Sequence, residues 1–287
     1  MAPQQQKRSA RSDGGSLLKW IGNKQRMAGE IAAYFPPFQR YFEPFLGAGA
    51  VLGALAPRDA VASDSFRPLM EIWSTLKDSP HELKDWYAQR WQRTMSGDRR
   101  AEYESIKATY NAAPNGADLT FLCRACYGGV VRFRKADGFM STPIGPHRPI
   151  EPAAFERRVD AWATKVRGAS FEVADYSDIM DEARDGDLIY CDPPYAHTQT
   201  ILYGAQAFRL PKLLDAIDRC TARGVNVALS IDGSKRSGEI ECELPIPSGL
   251  FKREIRIQVG RSMLKRFQME GRSLGSHVVH DRLLLTY

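Results

Sequence analysis

Residues 40–55 read RYFEPFLGAGAVLGAL. Arg40 to Glu43 predicts a short strand, the glycines at 47 and 49 a turn, and AVLGAL the helix that follows. Glycines at the carboxyl end of a strand let backbone come close to a bound ligand. The third glycine of the dinucleotide fingerprint is missing: Leu52 stands at its position and Gly53 one residue later. Taken alone, the motif is also readable as a plain strand-to-helix turn.

Working outward, Asn23 to Tyr34 predicts a helix stopped by Pro36 and Pro37. Ala60 to Ser63 predicts a second strand closed by Asp64, with a helix running on through Lys77. Further along, Phe171 to Val173, Asp187 to Cys191 (DLIYC) and Val225 to Ile231 predict strands, and Leu210 to Arg223 a helix. Ile255 to Val259 and Arg282 to Thr286 predict closing strands. This alternation predicts an α/β fold of βαβ units, interrupted by an insert and then resumed. In the interruption, Pro80 to Asn111 is charged, aromatic and helical, and Leu119 to Tyr127 is apolar. VVRFRKADGFMS predicts two short strands about Asp137-Gly138, and Pro143 to Pro152 a proline-rich loop. The expected organisation is a polar, disordered tail over residues 1–16 and a core over 17–77 and 165–287. A mainly helical insert carrying a β-hairpin fills 78–164.

The composition is that of a globular chain, 43% hydrophobic over 287 residues. A net charge of +6 and a pI of about 9.1 suit a polyanionic partner without requiring one. No apolar run is long enough for a bilayer and the N-terminus has no h-region, so no membrane partner and a cytoplasmic, nucleoid-associated location are expected. Five cysteines, Cys123, Cys126, Cys191, Cys220 and Cys242, are an odd and scattered set that argues against a disulfide framework. Cys123 and Cys126 form a C-x-x-C with no second pair, and the histidines at 81, 147, 197, 277 and 280 show no ligand spacing, so no metal is expected.

Two acids mark strand ends. Asp64 suits hydrogen bonding to ribose hydroxyls, or else caps a turn. Asp192-Pro193-Pro194-Tyr195 follows the strand DLIYC. Two prolines fix a rigid bend poor in donors. A carboxylate there accepts from an exocyclic amine, backbone carbonyls near the prolines can take the second N–H, and a tyrosine ring can stack on a base.

These motifs together resemble the alpha-group, Dam-like (D12 class) DNA adenine-N6 methyltransferases. The resemblance runs from Leu17 to Tyr287: LLKWIGNKQRM, YFEPFLGAG, the aspartate of ASD, VADYSD and DPPY occur in the family's order. The long gap between Gly49 and Asp192 fits a target-recognition insert. The resemblance implies a Rossmann-like core that uses S-adenosylmethionine (SAM), yields S-adenosylhomocysteine and needs no metal. It implies cofactor contacts by Trp20, Lys24, Glu43, Pro44, Phe45, Gly47, Gly49, Asp64, Asp175, Tyr176 and Asp192, and catalysis by Asp192, Pro193, Pro194 and Tyr195. Double-stranded DNA is the implied partner, met by Lys19, Arg132, Arg134 and Lys135, and a cognate restriction endonuclease is left open as a second one.

The insert departs from the pattern. Where Dam relatives carry Asn-Gly-x-x-Arg, this chain has Gly128-Gly129-Val130-Val131-Arg132, which puts a GATC target in doubt. Alternate residues of an extended strand share a face, so Arg132 and Arg134 should point to DNA and Val131 and Phe133 into the insert. Arg132 holds the position of the family's arginine and is the expected base reader. Two rival readings stand at this point: methylation of another exocyclic amine (RNA adenine or cytosine N4), and a DNA-binding protein with a decayed active site.

Overall fold

The computed structural model describes residues 15–134, 136–194, 208–232, 234–235, 240–241, 245–260 and 279–287. In chain order the first elements are α1 (Ala28–Ala32), β1 (Tyr41–Glu43), α2 (Ala50–Leu55), β2 (Ala60–Asp64) and α3 (Arg67–Asp78). The insert brings α4 (Pro80–Ser96), α5 (Arg99–Ala112) and α6 (Gly116–Ala125). Then come α7 (Pro152–Lys165), β3 (Ala169–Val173), α8 (Tyr176–Glu182), β4 (Leu188–Cys191), α9 (Leu210–Ala222) and β5 (Asn226–Asp232). Last are β6 (Ser234–Lys235), β7 (Ile240–Glu241), β8 (Arg253–Gly260) and β9 (Val279–Leu285).

Seven strands form one sheet in the order β3-β2-β1-β4-β5-β9-β8. The first five are mutually parallel, while β9 runs antiparallel between β5 and β8. Both faces are covered, which is why β1 and β4 are buried at every position. Successive residues go to opposite cores. Tyr41, Ala62, Leu188 and Tyr190 join one with α2, α3 and α7, and Phe42, Val61, Ile189 and Cys191 join the other with α8 and α9. The helices over each face present a single apolar stripe, Leu69, Ile72, Trp73 and Leu76 on α3 and Leu213, Leu214, Ile217 and Cys220 on α9.

The insert has no core of its own. Tyr87, Tyr103, Phe121 and Phe155 belong to the same buried cluster as Trp73 and Tyr41. Trp162 of α7 packs on Trp73 at 5.4 Å and closes over Gly53 of α2, where a Cβ would lie 2.5 Å from its ring. That contact accounts for the glycine one position past its fingerprint place. The Trp162 indole also donates to Gly15 O at 2.9 Å, and Arg158 donates to Ser16 O at 2.7 Å, so the last two residues assigned to the tail lie along α7.

Three expectations need correction. The first helix covers only Ala28–Ala32, because Trp20 to Met27 is used up in turns, with Asn23 Oδ1 accepting from Gln25 N and Lys24 O from Met27 N. Helices α7 and α8 were not foreseen. The expected hairpin is not a pair of regular strands: one bridge, Phe133 to Met140, joins its arms. Backbone bonds from Arg134 N to Phe139 O and from Ser141 N to Arg132 O hold the ribbon, and Asn111 reaches in from α5 to take the Met140 N–H at 2.7 Å.

Candidate active site

Strand order reverses between β1 and β4: the chain leaves β1 for β2 on one side and β4 for β5 on the other. Parallel pairing brings both carboxyl ends to one edge, and a crevice at such a switch point is where open α/β sheets bind ligands. A cavity of about 190 Å³ opens there. It is lined by Trp20 to Lys24, by Glu43 to Val51 after β1, and by Asp64 and Ser65 after β2. Ala174 to Tyr176 after β3, with Tyr190, Asp192, Pro194 and Phe208, complete it. All the positions expected at the cofactor site, Trp20, Lys24, Glu43, Pro44, Phe45, Gly47, Gly49, Asp64, Asp175, Tyr176 and Asp192, meet in this one place. Tyr195 and Lys135 lie outside the described residues.

Gly47 and Gly49 both have left-handed backbone (φ 47° and 60°) in the loop that lines the cavity. A Cβ on Gly49 would come within 2.9 Å of Trp73, whose indole N–H donates to Gly47 O at 3.1 Å. Asp64 accepts from Gly47 N at 3.3 Å and Phe66 N at 3.0 Å, so it both ties β2 to the glycine loop and turns the chain into α3. Burial lifts its carboxyl from the usual 3.8 to about 6, against backbone hydrogen bonds from Phe66, Gly47 and Ser65. Asp175 caps α8 through Ser177 N at 2.9 Å. Phe45 stacks on Tyr176 at 5.0 Å and meets Phe208 edge-on at 5.9 Å, an apolar, flat-sided end to the cavity.

The opposite end is ionic. Lys24 is buried, with Nζ 3.0 Å from Asp192 Oδ1 and 3.1 Å from Asp281 Oδ2. Burial pulls its pKa down, but the two carboxylates outweigh that and hold it above the ordinary 10.5, so the ammonium stays charged. Next to it, Glu43 is buried and accepts from Tyr41 Oη at 2.6 Å and from the Leu52 N–H. Tyr190, two residues before Asp192, shares a 2.9 Å hydrogen bond with Ser230.

Glu43 is raised from an ordinary 4.5 to about 8. Burial is the largest cause and the charge of Asp192 adds to it, while the bonds from Tyr41 and Leu52 oppose it. The folded chain therefore holds a proton on Glu43 that the unfolded chain releases between pH 4.5 and about 8, and stability falls as pH rises through that window. Glu43→Gln removes this dependence. Urea titrations should show the wild type losing more stability than the variant between about pH 5 and pH 8; parallel losses in the two proteins would contradict the assignment.

The ribbon of the insert sits beside this cavity. Val131 is buried, and Phe133 packs edge-on to Phe66 at 5.5 Å, which in turn lies 6.1 Å from Trp20 on the cavity wall. Arg132 and Arg134 are both exposed, as the alternation requires. They are not equivalent. Arg134 grips Asp137 at 2.6 and 3.1 Å and lies 4.2 Å over Phe139, whereas Arg132 has no ion pair among the described residues. Lys19 is exposed, with its stem laid across Gly129, where a Cβ would stand 2.8 Å from it.

Sequence reading missed Asp281, Phe208, Tyr41 and Tyr190. Tyr41 was recoverable, since residues two apart on a strand share a face, here with Glu43. An aspartate within the apolar run HDRLLL was a signal too, because acids in a buried strand rarely go unpaired.

A parallel sheet in the order 3-2-1-4-5 with a reversed strand beyond it, a glycine loop after β1 and an acid after β2 define a Rossmann-like methyltransferase core. Residues 20–237 match the D12 class N6 adenine-specific DNA methyltransferase family, and the chain belongs to it. The DNA adenine methylase of Vibrio cholerae serotype O1 is 28% identical over 231 residues, covering 75% of this chain and 80% of that protein. The type II methyltransferase M1.LlaDCHI of Lactococcus lactis subsp. cremoris is 25% identical over 247 residues, 78% of this chain and 83% of its own. The DNA N-6-adenine-methyltransferase of Escherichia phage P1 is 25% identical over 234 residues, 78% of this chain but 31% of that longer protein. The chain is thus an adenine-specific DNA methyltransferase.

Proposed function

We propose that the cavity at the switch point binds SAM and that Asp192 receives the amino group of an adenine flipped out of duplex DNA. The observation that carries this reading is the meeting of the glycine loop, Asp64 and Asp192 in one crevice. The lining suits the cofactor: Phe45, Tyr176 and Phe208 for a flat base, Asp64 for ribose hydroxyls, and the carboxylate of Asp192 for a cationic donor. When bound, the cofactor supplies a methyl group as an electrophile and departs as S-adenosylhomocysteine. The protein's own part is positioning and electrostatics. Asp192 accepts one N6–H, and a carbonyl of the Pro193–Pro194 bend accepts the other, so the nitrogen lone pair is free to form the new N–C bond, after which one N6 proton is lost to solvent to give the neutral N6-methyl product. Flipping costs a few kcal/mol and is required because the amine is inaccessible inside the stack. Asp64→Ala should weaken SAM binding by roughly 1–3 kcal/mol, read by calorimetry; unchanged affinity would return Asp64 to tying the loop and the turn.

The exposed ribbon is the DNA-reading surface in this account, with Arg132 on guanine O6 and N7, Lys19 within reach of a base and Arg134 nearer the backbone. The internal ion pair of Arg134 favours this division of labour. Arg132→Ala should relax selectivity at one target position by roughly 1–3 kcal/mol, seen by sequencing methylated sites. A uniform loss on all DNA with a flatter salt slope would make Arg132 a phosphate contact instead. The type II name of one relative favours a restriction-modification setting.

A further inference from the structure

Asp192 and Asp281 come from strands that are not neighbours. Asp192 follows β4, Asp281 lies on β9, and β5 runs between them, which puts their backbones about two strand spacings, roughly 10 Å, apart. Lys24 closes that gap, with one N–H on each carboxylate at 3.0 and 3.1 Å. All three side chains are largely buried, at 6%, 19% and 11% exposure for Lys24, Asp192 and Asp281. Asp281 also stands beyond residue 237, where the family match ends.

We propose that Asp281 is a positioning residue for methyl transfer, fixing Lys24 and through it the orientation and effective charge of the Asp192 carboxylate. This rests on Asp192 being the acceptor of the target amine. A lysine with a single carboxylate partner neutralises it. With two partners the trio keeps one net negative charge, and the pull of Lys24 on Asp192 is divided. Negative charge is useful there, because the amine becomes more positive as its bond to carbon forms. Other ionisable groups among the described residues beside it are neutral or already bonded. Tyr190 on β4 and Tyr41 on β1 are held neutral by burial, and Glu43 on β1 is mostly protonated at pH 7. The Ser230 hydroxyl on β5 is bonded to Tyr190, and Arg282, next to Asp281 on β9, is held by Glu254 at 2.7 and 2.8 Å. The anchor is also geometric: a second bond from a different strand stops Lys24 from swinging and dragging Asp192 out of line.

The test compares wild type, Asp281→Asn, Asp281→Glu and Asp192→Asn. It measures SAM affinity by calorimetry, duplex affinity by fluorescence anisotropy, melting temperature, and single-turnover methyl transfer across pH. Asp281→Asn should bind SAM and DNA about as the wild type does, yet transfer methyl about ten- to a hundredfold more slowly. The acid limb of its rate profile should move to lower pH, because Lys24 then loses one of its two carboxylates and draws more strongly on Asp192. Asp281→Glu should recover part of the rate. A purely structural role predicts loss by one factor at every pH, in step with melting, and that result overturns the proposal, as does a wild-type rate in Asp281→Asn. If Asp192→Asn itself transfers methyl normally, the acceptor role of Asp192 has failed. If only Asp192→Asn is impaired, the acceptor stands and the positioning role is lost.

Discussion

Asp192→Ala will abolish methyl transfer, lowering the single-turnover rate by about a thousandfold or more, while duplex DNA still binds. No neighbour can take over. Glu43 lines the same cavity, but it is mostly protonated at neutral pH and already holds Tyr41 Oη and the Leu52 N–H, and Asp281 is engaged by Lys24. The loss will not come from unfolding, since Lys24 keeps Asp281 as its counter-ion and the Pro193–Pro194 bend is untouched. Asp192→Asn will be almost as poor, because its amide presents a donor to one face of the target amine, where a carboxylate only accepts. Single-turnover assays with labelled SAM, paired with anisotropy on the same duplex, read both halves of this expectation.

Lys24→Met will carry the largest stability cost of any single change at the site. It leaves Asp192 and Asp281 facing one another in a largely dry pocket without their shared cation. Removing one partner from a buried ion pair costs about 3–5 kcal/mol, and the partial exposure of Asp192 argues for the lower end, about 3 kcal/mol. The deficit should shrink as pH falls and the stranded carboxylates take up protons. It should also shrink in Lys24→Met/Asp281→Asn, where one of the two charges is gone. Urea midpoints at two pH values and in the double variant decide the matter. A deficit that ignores both pH and Asp281→Asn would mean that Lys24 stabilises through packing of its stem and not through charge.

The parts of this molecule that showed in its sequence are those whose cause is local. A strand buried on both faces is mostly apolar, so β1, β2, β4 and β5 could be read, and the glycine loop and the Asp-Pro-Pro turn follow directly on such strands. The sequence changes character after Lys77, where helices α4, α5 and α6 stand. The faces of the ribbon followed from period two, with Val131 and Phe133 inward and both arginines out. What stayed hidden depends on distant partners. The Asn23 to Tyr34 stretch has a helical look, but Lys24 is drawn into the crevice by acids on β9 and in the turn after β4, and its backbone turns to allow this. Nor could the division between Arg132 and Arg134 be seen, since it depends on whether Asp137 folds back onto the ribbon.

The central claim is chemical: this site places a methyl group on N6 of adenine in duplex DNA. The most direct measurement incubates the purified chain with duplex DNA and SAM bearing a deuterated methyl, then identifies the nucleosides by mass spectrometry. The account predicts the label on N6 of deoxyadenosine, absent with Asp192→Ala and absent from RNA of matched sequence. Label on cytosine N4, label on RNA adenine, or undiminished labelling by Asp192→Ala would contradict it.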